Sequence, residues 1–259
     1  MKKPRVLVLL AAGINCDRET AFAFEQAGAV AERVHINDLV LGLKTLREYQ
    51  ILVLPGGFSF GDDIASGKVL ANKLKYKLGE GIEEFRSQGK LILGICNGFQ
   101  VLVKLGLLPG LGGDYQTQKV TVTFNDSGRF EDRWVYLKVN KKSSCIYTRG
   151  LEKLLYLPVR HGEGKFVAEE KLLKSLEQKG QTVARYVDER GNFGDYPINP
   201  NGSMDHVAGI CDEAGLIFGL MPHPEGYIRR TQHPRWTREK LPEEGDGLAI
   251  FRNAVEYFH

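Results

Sequence analysis

Gly94-Ile95-Cys96-Asn97-Gly98 places a thiol between two glycines, where an apolar run gives way to a helical pattern. Leu91, Ile92, Leu93 and Ile95 read as a buried strand of a parallel sheet. Phe99, Val101, Leu102, Val103 and Leu105 continue as a helix that Gly106 closes. Glycines on both sides permit a crowded strand-to-helix turn, the elbow that lifts a nucleophile above a sheet. At a helix N-terminus, unpaired N–H groups and the helix dipole favour a thiolate. The N–H of Asn97, next in the chain, is placed to stabilise an oxyanion. The competing reading is a structural cysteine in a βα turn, since free cysteines are often inert core residues.

A nucleophilic thiol needs a base, and the chain holds His35, His161, His206, His223, His233 and His259. His223 stands out in Met221-Pro222-His223-Pro224-Glu225, directly after the strand-like run ending at Leu220. Prolines on both sides bias this backbone toward extended conformations, in which residues i and i+2 face the same way. Glu225 therefore lies beside the imidazole, where a carboxylate fixes the tautomer and supports an imidazolium. The alternative is a proline-rich surface turn with a solvated pair. A third segment, Ile51-Leu52-Val53-Leu54-Pro55-Gly56-Gly57-Phe58-Ser59-Phe60-Gly61-Asp62, leaves a strand at its carboxyl end on bare backbone. Its N–H groups can complete an oxyanion hole, or it is a plain strand exit.

These segments need a scaffold. Strand-like runs at 5–11, 30–36, 51–54 and 91–95 alternate with helical patterns near 17–28, 66–87 and 98–106. That alternation predicts an α/β fold: an open, mostly parallel, doubly wound sheet with helices on both faces. An antiparallel β extension follows, with β segments at Gln118–Phe124, Trp134–Val139, Leu154–Val159 and Thr182–Val187 and a helix at Glu169–Lys179. Val207–Cys211 and Leu216–Leu220 form an antiparallel pair, and Gly247–Phe258 a closing helix with one apolar face. Residues 1–259 read as a single domain, without internal repeats or low-complexity linkers.

Composition narrows the function. Hydrophobic residues make up 42% and charged residues 26%, as in ordinary globular proteins. A net charge of +3 is too small to argue for nucleic acid, and no apolar run reaches membrane-spanning length. Basic Lys2, Lys3 and Arg5 before an apolar run imitate a signal peptide, but the run is short and enters Gly13 and Asn15 as a first strand would. Cys16, Cys96, Cys145 and Cys211 lack paired spacing, so zinc and a disulfide framework are both poor readings, and no metal site is expected. A reactive thiol fits a reducing cytoplasm. Cys16 reads as a packed residue in a βα turn, with Asn15 or Asp17 capping the next helix, and Cys145 and Cys211 as packing residues.

Pro55-Gly56-Gly57, Gly94-Ile95-Cys96-Asn97-Gly98 and His223-Pro224-Glu225, in this order, resemble the class I (triad) glutamine amidotransferases. Asn15-Cys16-Asp17-Arg18-Glu19, Phe58-Ser59-Phe60-Gly61-Asp62, Asn97-Gly98-Phe99-Gln100, Pro158-Val159-Arg160-His161-Gly162-Glu163-Gly164 and Asn199-Pro200-Asn201-Gly202-Ser203 sharpen the likeness. They resemble the family of glutaminase subunits of phosphoribosylformylglycinamidine synthase. The resemblance implies Cys96 as nucleophile, His223 as base and Glu225 as its orienting carboxylate. It implies Gly56, Gly57 and Asn97 at the oxyanion, and Gln100, His161 and Glu163 lining the L-glutamine site. A glutamyl thioester forms, and ammonia passes to a synthetase subunit that amidates formylglycinamide ribonucleotide, with a small accessory subunit in many such systems. The chain carries no Walker-type phosphate loop and is expected to bind no cofactor, so ATP and magnesium belong to the synthetase.

The chain departs from that family at Gly226, where an arginine is expected, and in two extra stretches, Lys68–Glu80 and Arg229–Asp246. The second is basic and holds Trp236; it either docks a partner or is a solvated excursion whose charges pair. Three rivals stand beside this reading. An amidotransferase subunit of another pathway is opposed by Phe58–Asp62 and Asn97–Gln100. A non-catalytic interaction module needs neither Cys96 nor His223 and Glu225. A peptidase or deglycase on a similar elbow usually places its histidine soon after the cysteine, and none lies between Cys96 and His161.

Overall fold

The computed structural model describes residues 2–151 and 153–259; Met1 and Glu152 lie outside the described residues. Its elements in chain order are β1 (Arg5–Leu10), α1 (Asp17–Gln26), β2 (Val30–His35), α2 (Ile36–Val40), β3 (Ile51–Leu54), α3 (Lys68–Ser87), β4 (Leu91–Ile95) and α4 (Asn97–Leu105). There follow β5 (Thr121–Thr123), β6 (Glu131–Val139), β7 (Leu155–His161), β8 (Lys165–Val167), α5 (Glu170–Gln178), β9 (Thr182–Val187), β10 (Val207–Cys211), β11 (Ile217–Leu220) and α6 (Leu248–Glu256).

The described strands form a nine-stranded sheet in the order β2-β1-β3-β4-β11-β10-β9-β6-β7, and β5 pairs with β8 in a separate ribbon. From β2 to β11 every pairing is parallel, and from β11 to β7 every pairing is antiparallel. β1, β3 and β4 are apolar and buried, as strands covered on both faces must be. The chain steps from β1 to β2 in one direction, then from β2 past β1 to β3 and β4 in the other. Right-handed crossovers therefore put α1 on one face and α3 on the other. α4 packs against α3, and α6 returns to pack on α1, with Phe24 and Phe251 edge to face at 4.9 Å.

The mixed α/β sheet with its antiparallel extension is the architecture read from the sequence. The β segment expected over Gln118–Phe124 shrinks to β5, whose partner β8 supplies only three residues, Lys165–Val167, to pair with it. Neither Asn15 nor Asp17 caps α1. Cys16 is the N-cap residue, the Asp17 carboxylate accepts from Arg33 at 2.8 Å, and Asn15 Oδ1 accepts from the Cys16 thiol at 3.3 Å. The extra stretch Lys68–Glu80 lies within the twenty-residue α3, in line with the helical pattern read near 66–87.

Candidate active site

Four neighbouring parallel strands, β1, β3, β4 and β11, release their chains at one edge of the sheet. Cys16, Gly56, Cys96 and His223 come from these four exits. Brought to a carboxyl edge beside the β1–β3 reversal, they occupy the place where open α/β sheets bind ligands.

Cys96 ends β4 and begins α4 with φ 51° and ψ −107°, in left-handed space that a residue with a Cβ enters only under constraint. Its N–H donates to Leu220 O at 2.8 Å, and its carbonyl accepts from Gln100 N at 3.1 Å, which fixes both ends of the turn. Gly98 is required by crowding: a Cβ there would lie 1.8 Å from Leu54 O. The α4 backbone thus rests directly on the end of β3, and the buried Cys96 is presented at the helix N-terminus.

His223 is extended (φ −102°, ψ 94°), but Pro224–Gly226 then form a 3-10 turn. That turn, rather than a continued extended segment, swings Glu225 back so that its Oε1 lies 2.6 Å from His223 Nδ1. Both side chains are buried. His223 N donates to Pro158 O at 2.8 Å, tying the segment to β7. Gly56 leaves room for the ring: a Cβ there would lie 2.6 Å from His223 Cε1. Burial disfavours the imidazolium, yet the Glu225 carboxylate and the sulfur of Cys96 outweigh it and raise His223 well above its ordinary value.

Around this core, three buried polar atoms have no hydrogen-bond partner: His223 Nε2, Glu225 Oε2 and Ser59 Oγ. Buried polar atoms normally find partners, so orphans gathered at one site are what a bound molecule would satisfy. Among the described residues, the backbone N–H groups of Gly57 and Asn97 also donate to no other group. Both fit an oxyanion hole.

Asn97 Nδ2 donates to Asp62 Oδ1 at 3.1 Å and to Gln100 Oε1 at 3.0 Å, and Gln100 Nε2 donates to Glu163 O. The Glu163 carboxylate accepts from Ser66 N at 3.3 Å. Partial burial, with the charge of Glu163 added, raises Asp62 above its ordinary value. Gln100 and Glu163, both expected at the site, therefore share one polar wall with Asp62, which sequence reasoning did not single out. His161 lies in the interior: Nδ1 is 3.1 Å from Asn125 Oδ1, and Nε2 is 3.5 Å from Asn201 Nδ2. Burial, with the charge of His223 added, lowers its pKa to about 3, so it is neutral. Its neighbour in the chain, Arg160, accepts the Cys96 thiol through its carbonyl at 3.5 Å.

Cys16 lies in the β1–α1 turn, as expected. There it stands with His223 and Glu225, a contact no local signal announces, and one ligand-type atom from each lies within 4.8 Å of the others. Its N–H donates to Gly56 O at 3.2 Å, which holds the β1 and β3 exits together. Cys145 and Cys211 are buried packing residues, as expected. Residues 229–246 fold back on themselves: Arg230 N donates to Glu243 O at 2.9 Å, Arg230 pairs with Glu243 and Arg235 with Glu239. That favours the excursion with paired charges over a free basic patch. His233 anchors it among Trp134, Tyr156 and Tyr227. At Gly226 a Cβ would lie 2.8 Å from Pro158 Cγ, so β7 occupies the space an arginine would need.

Residues 3–258 match the CobB/CobQ-like glutamine amidotransferase domain. A phosphoribosylformylglycinamidine synthase subunit PurQ from Dehalococcoides mccartyi is 52% identical over 99% of this chain and 98% of its own. The PurQ subunit of Archaeoglobus fulgidus is 43% identical over 98% of this chain and 96% of its own. Among solved structures, a chain of PurLQS from Thermotoga maritima superposes with TM-score 0.76 at 32% identity, covering 99% of this chain and 100% of that one. A glutamine amidotransferase from the same organism, at TM-score 0.57 and 18% identity, shares the fold.

Proposed function

Because this chain belongs to the CobB/CobQ-like glutamine amidotransferase family, we propose that it is the glutaminase subunit of a phosphoribosylformylglycinamidine synthase, acting in purine biosynthesis. The observation that carries the chemistry is the Cys96 elbow, with an imidazole that is held by a buried carboxylate at 2.6 Å and keeps its other nitrogen unpartnered.

Cys96 passes its thiol proton to His223 as its Sγ attacks the side-chain carboxamide of L-glutamine. The tetrahedral oxyanion is held by the N–H groups of Gly57 and Asn97, with Gly56 shaping the turn. His223 gives its proton to the departing ammonia, and a glutamyl thioester remains on Cys96. His223 then takes a proton from water, which attacks the thioester and releases glutamate and the thiol. Glu225 fixes the tautomer throughout and stabilises the imidazolium. The raised proton affinity of His223 supports this role, since an imidazolium is the form that delivers a proton to ammonia. Gln100 and Glu163 are assigned to hold the polar end of glutamine, and His161, being neutral, to shape the pocket.

Ammonia passes to a synthetase subunit, with a small accessory subunit completing the assembly. ATP and magnesium are used there, and this chain carries no cofactor of its own. A reducing cytoplasm keeps Cys96 a thiol; no described helix is long and apolar enough to cross a membrane.

The test is glutamate release from glutamine, with and without the synthetase partner, for the wild type and Cys96→Ala. Activity that rises with the partner and vanishes in Cys96→Ala is the expected result. No glutamate from a folded wild-type protein in a demonstrated complex would sink the catalytic reading in favour of an interaction module.

A further inference from the structure

We propose that Cys16, His223 and Glu225 form an inhibitory binding site for a thiophilic divalent cation of the zinc class. This inference rests on the reading of His223 and Glu225 as members of the glutaminase site.

Glutamine hydrolysis as described uses one sulfur, on Cys96, and leaves Cys16 without a task. Yet Cys16 is held at the site: its N–H bonds Gly56 O at 3.2 Å. A Cβ on Gly56 would lie 3.4 Å from Cys16 Sγ and 2.6 Å from His223 Cε1. Thiol and imidazole thus border the same side of one bare backbone position. Glu225 closes the group, and one donor atom of each of the three residues lies within 4.8 Å of the others.

The donor set points to a class of ion. One thiolate sulfur, one imidazole nitrogen and one carboxylate oxygen are zinc-type ligands, whereas magnesium and calcium prefer all-oxygen sets. Two further facts indicate a ligand. Glu225 Oε2 and His223 Nε2 are buried atoms with no partner, on side chains 3% and 2% exposed. Zinc bonds of about 2.0–2.3 Å place neighbouring donors roughly 3.3–3.8 Å apart, so ligation exchanges the 2.6 Å contact between His223 Nδ1 and Glu225 Oε1 for bonds to the ion and draws on donors that all lie within 4.8 Å of one another. Cys16 is only half-buried, which gives the ion an approach.

The step is an exchange of protons for a cation. The Cys16 thiol and the imidazole site that binds the metal release their protons to solvent as the metal–sulfur and metal–nitrogen bonds form. Nothing is oxidised or reduced. With the imidazole and its carboxylate engaged, no group remains to deliver a proton to ammonia, and glutamine hydrolysis stops until the ion is removed. Three protein ligands leave further positions for water, so binding is reversible by a chelator.

The experiment is an equilibrium titration of the full chain with Co2+, read by thiolate-to-metal charge-transfer absorption, then by displacement with Zn2+. Wild type, Cys16→Ser, Cys16→Ala and Cys96→Ala are compared. Zn2+ inhibition of glutamate release is measured in parallel with the synthetase partner present. We expect wild type and Cys96→Ala to bind one equivalent. Both Cys16 variants lose the charge-transfer band and weaken Zn2+ binding at least about tenfold, while keeping glutaminase activity in chelator. Equal binding by the Cys16 variants and wild type would overturn the proposal. So would loss of the band in Cys96→Ala alone, which would place the ion on the nucleophile. If no protein releases glutamate, the functional reading fails, and the Co2+ titration still decides the site.

Discussion

His161 shows how a single buried side chain writes itself into the pH response. It lies between Asn125 and Asn201, and burial, with the charge of His223 added, lowers its pKa from 6.5 to about 3 and keeps it neutral. In the unfolded chain the same imidazole takes up a proton near its ordinary value. A folded pKa below the unfolded one means that the unfolded state binds the extra proton, so stability is full above about pH 6.5 and falls as pH drops toward 3. Each pH unit in that window costs at most about 1.4 kcal/mol for one such group. Urea unfolding of wild type and His161→Gln, followed from about pH 7 down to about pH 5, isolates this contribution. The wild type loses stability more steeply by up to that amount per unit, and parallel pH profiles would show that His161 is not the buried neutral group.

At the scale of elements, the site depends on how closely strand exits approach one another. The β3 exit passes under the β11 exit with no side chain between: Gly56 faces the edge of the His223 ring. Gly56→Ala adds one carbon 2.6 Å from Cε1, and the ring must move by most of an ångström. Displacements of that size cost about 10²-fold in rate, so glutamate release should fall by that order while the far-ultraviolet circular dichroism spectrum stays unchanged. Activity within twofold of wild type would mean that the imidazole does not sit where the chemistry occurs. Much of this was legible in the sequence, because local signals carry it. Apolar runs ending in glycine announce β3 and β4, and Gly-x-Cys-x-Gly announces the elbow. Illegible were the contacts made across the chain. Cys16 against His223, Asp62 against Glu163 and Asn125 against His161 join segments that no periodicity links. Even the His223–Glu225 pairing, read from alternation in an extended segment, is made by a 3-10 turn.

On the scale of the whole molecule, the question is whether the parallel and antiparallel halves fold together. β4 and β11 make the junction, pairing in parallel from Ile92 with Ile217 to Ile95 with Leu220, and β10 continues from β11 in the opposite sense. Buried residues of β1, β3, β4, β6, β7, β9, β10 and β11 belong to one apolar cluster. The chain's last helix reinforces the union: α6 returns from the antiparallel side to α1, where Phe251 meets Phe24, and Asn253 Nδ2 donates to Tyr147 O at 3.0 Å. One sheet and one apolar cluster running through both halves predict one cooperative unfolding transition for the full chain. Phe251→Ala removes a fully buried ring and should cost about 3–5 kcal/mol. For a chain of this size that lowers Tm by roughly 10 °C. The shift should move the entire transition, because α6 packs on α1 of the parallel half and on the Ile146–Thr148 turn that follows β6. Calorimetry of wild type and Phe251→Ala distinguishes the outcomes: one peak displaced as a whole supports a single domain, and a peak that splits in two would divide it.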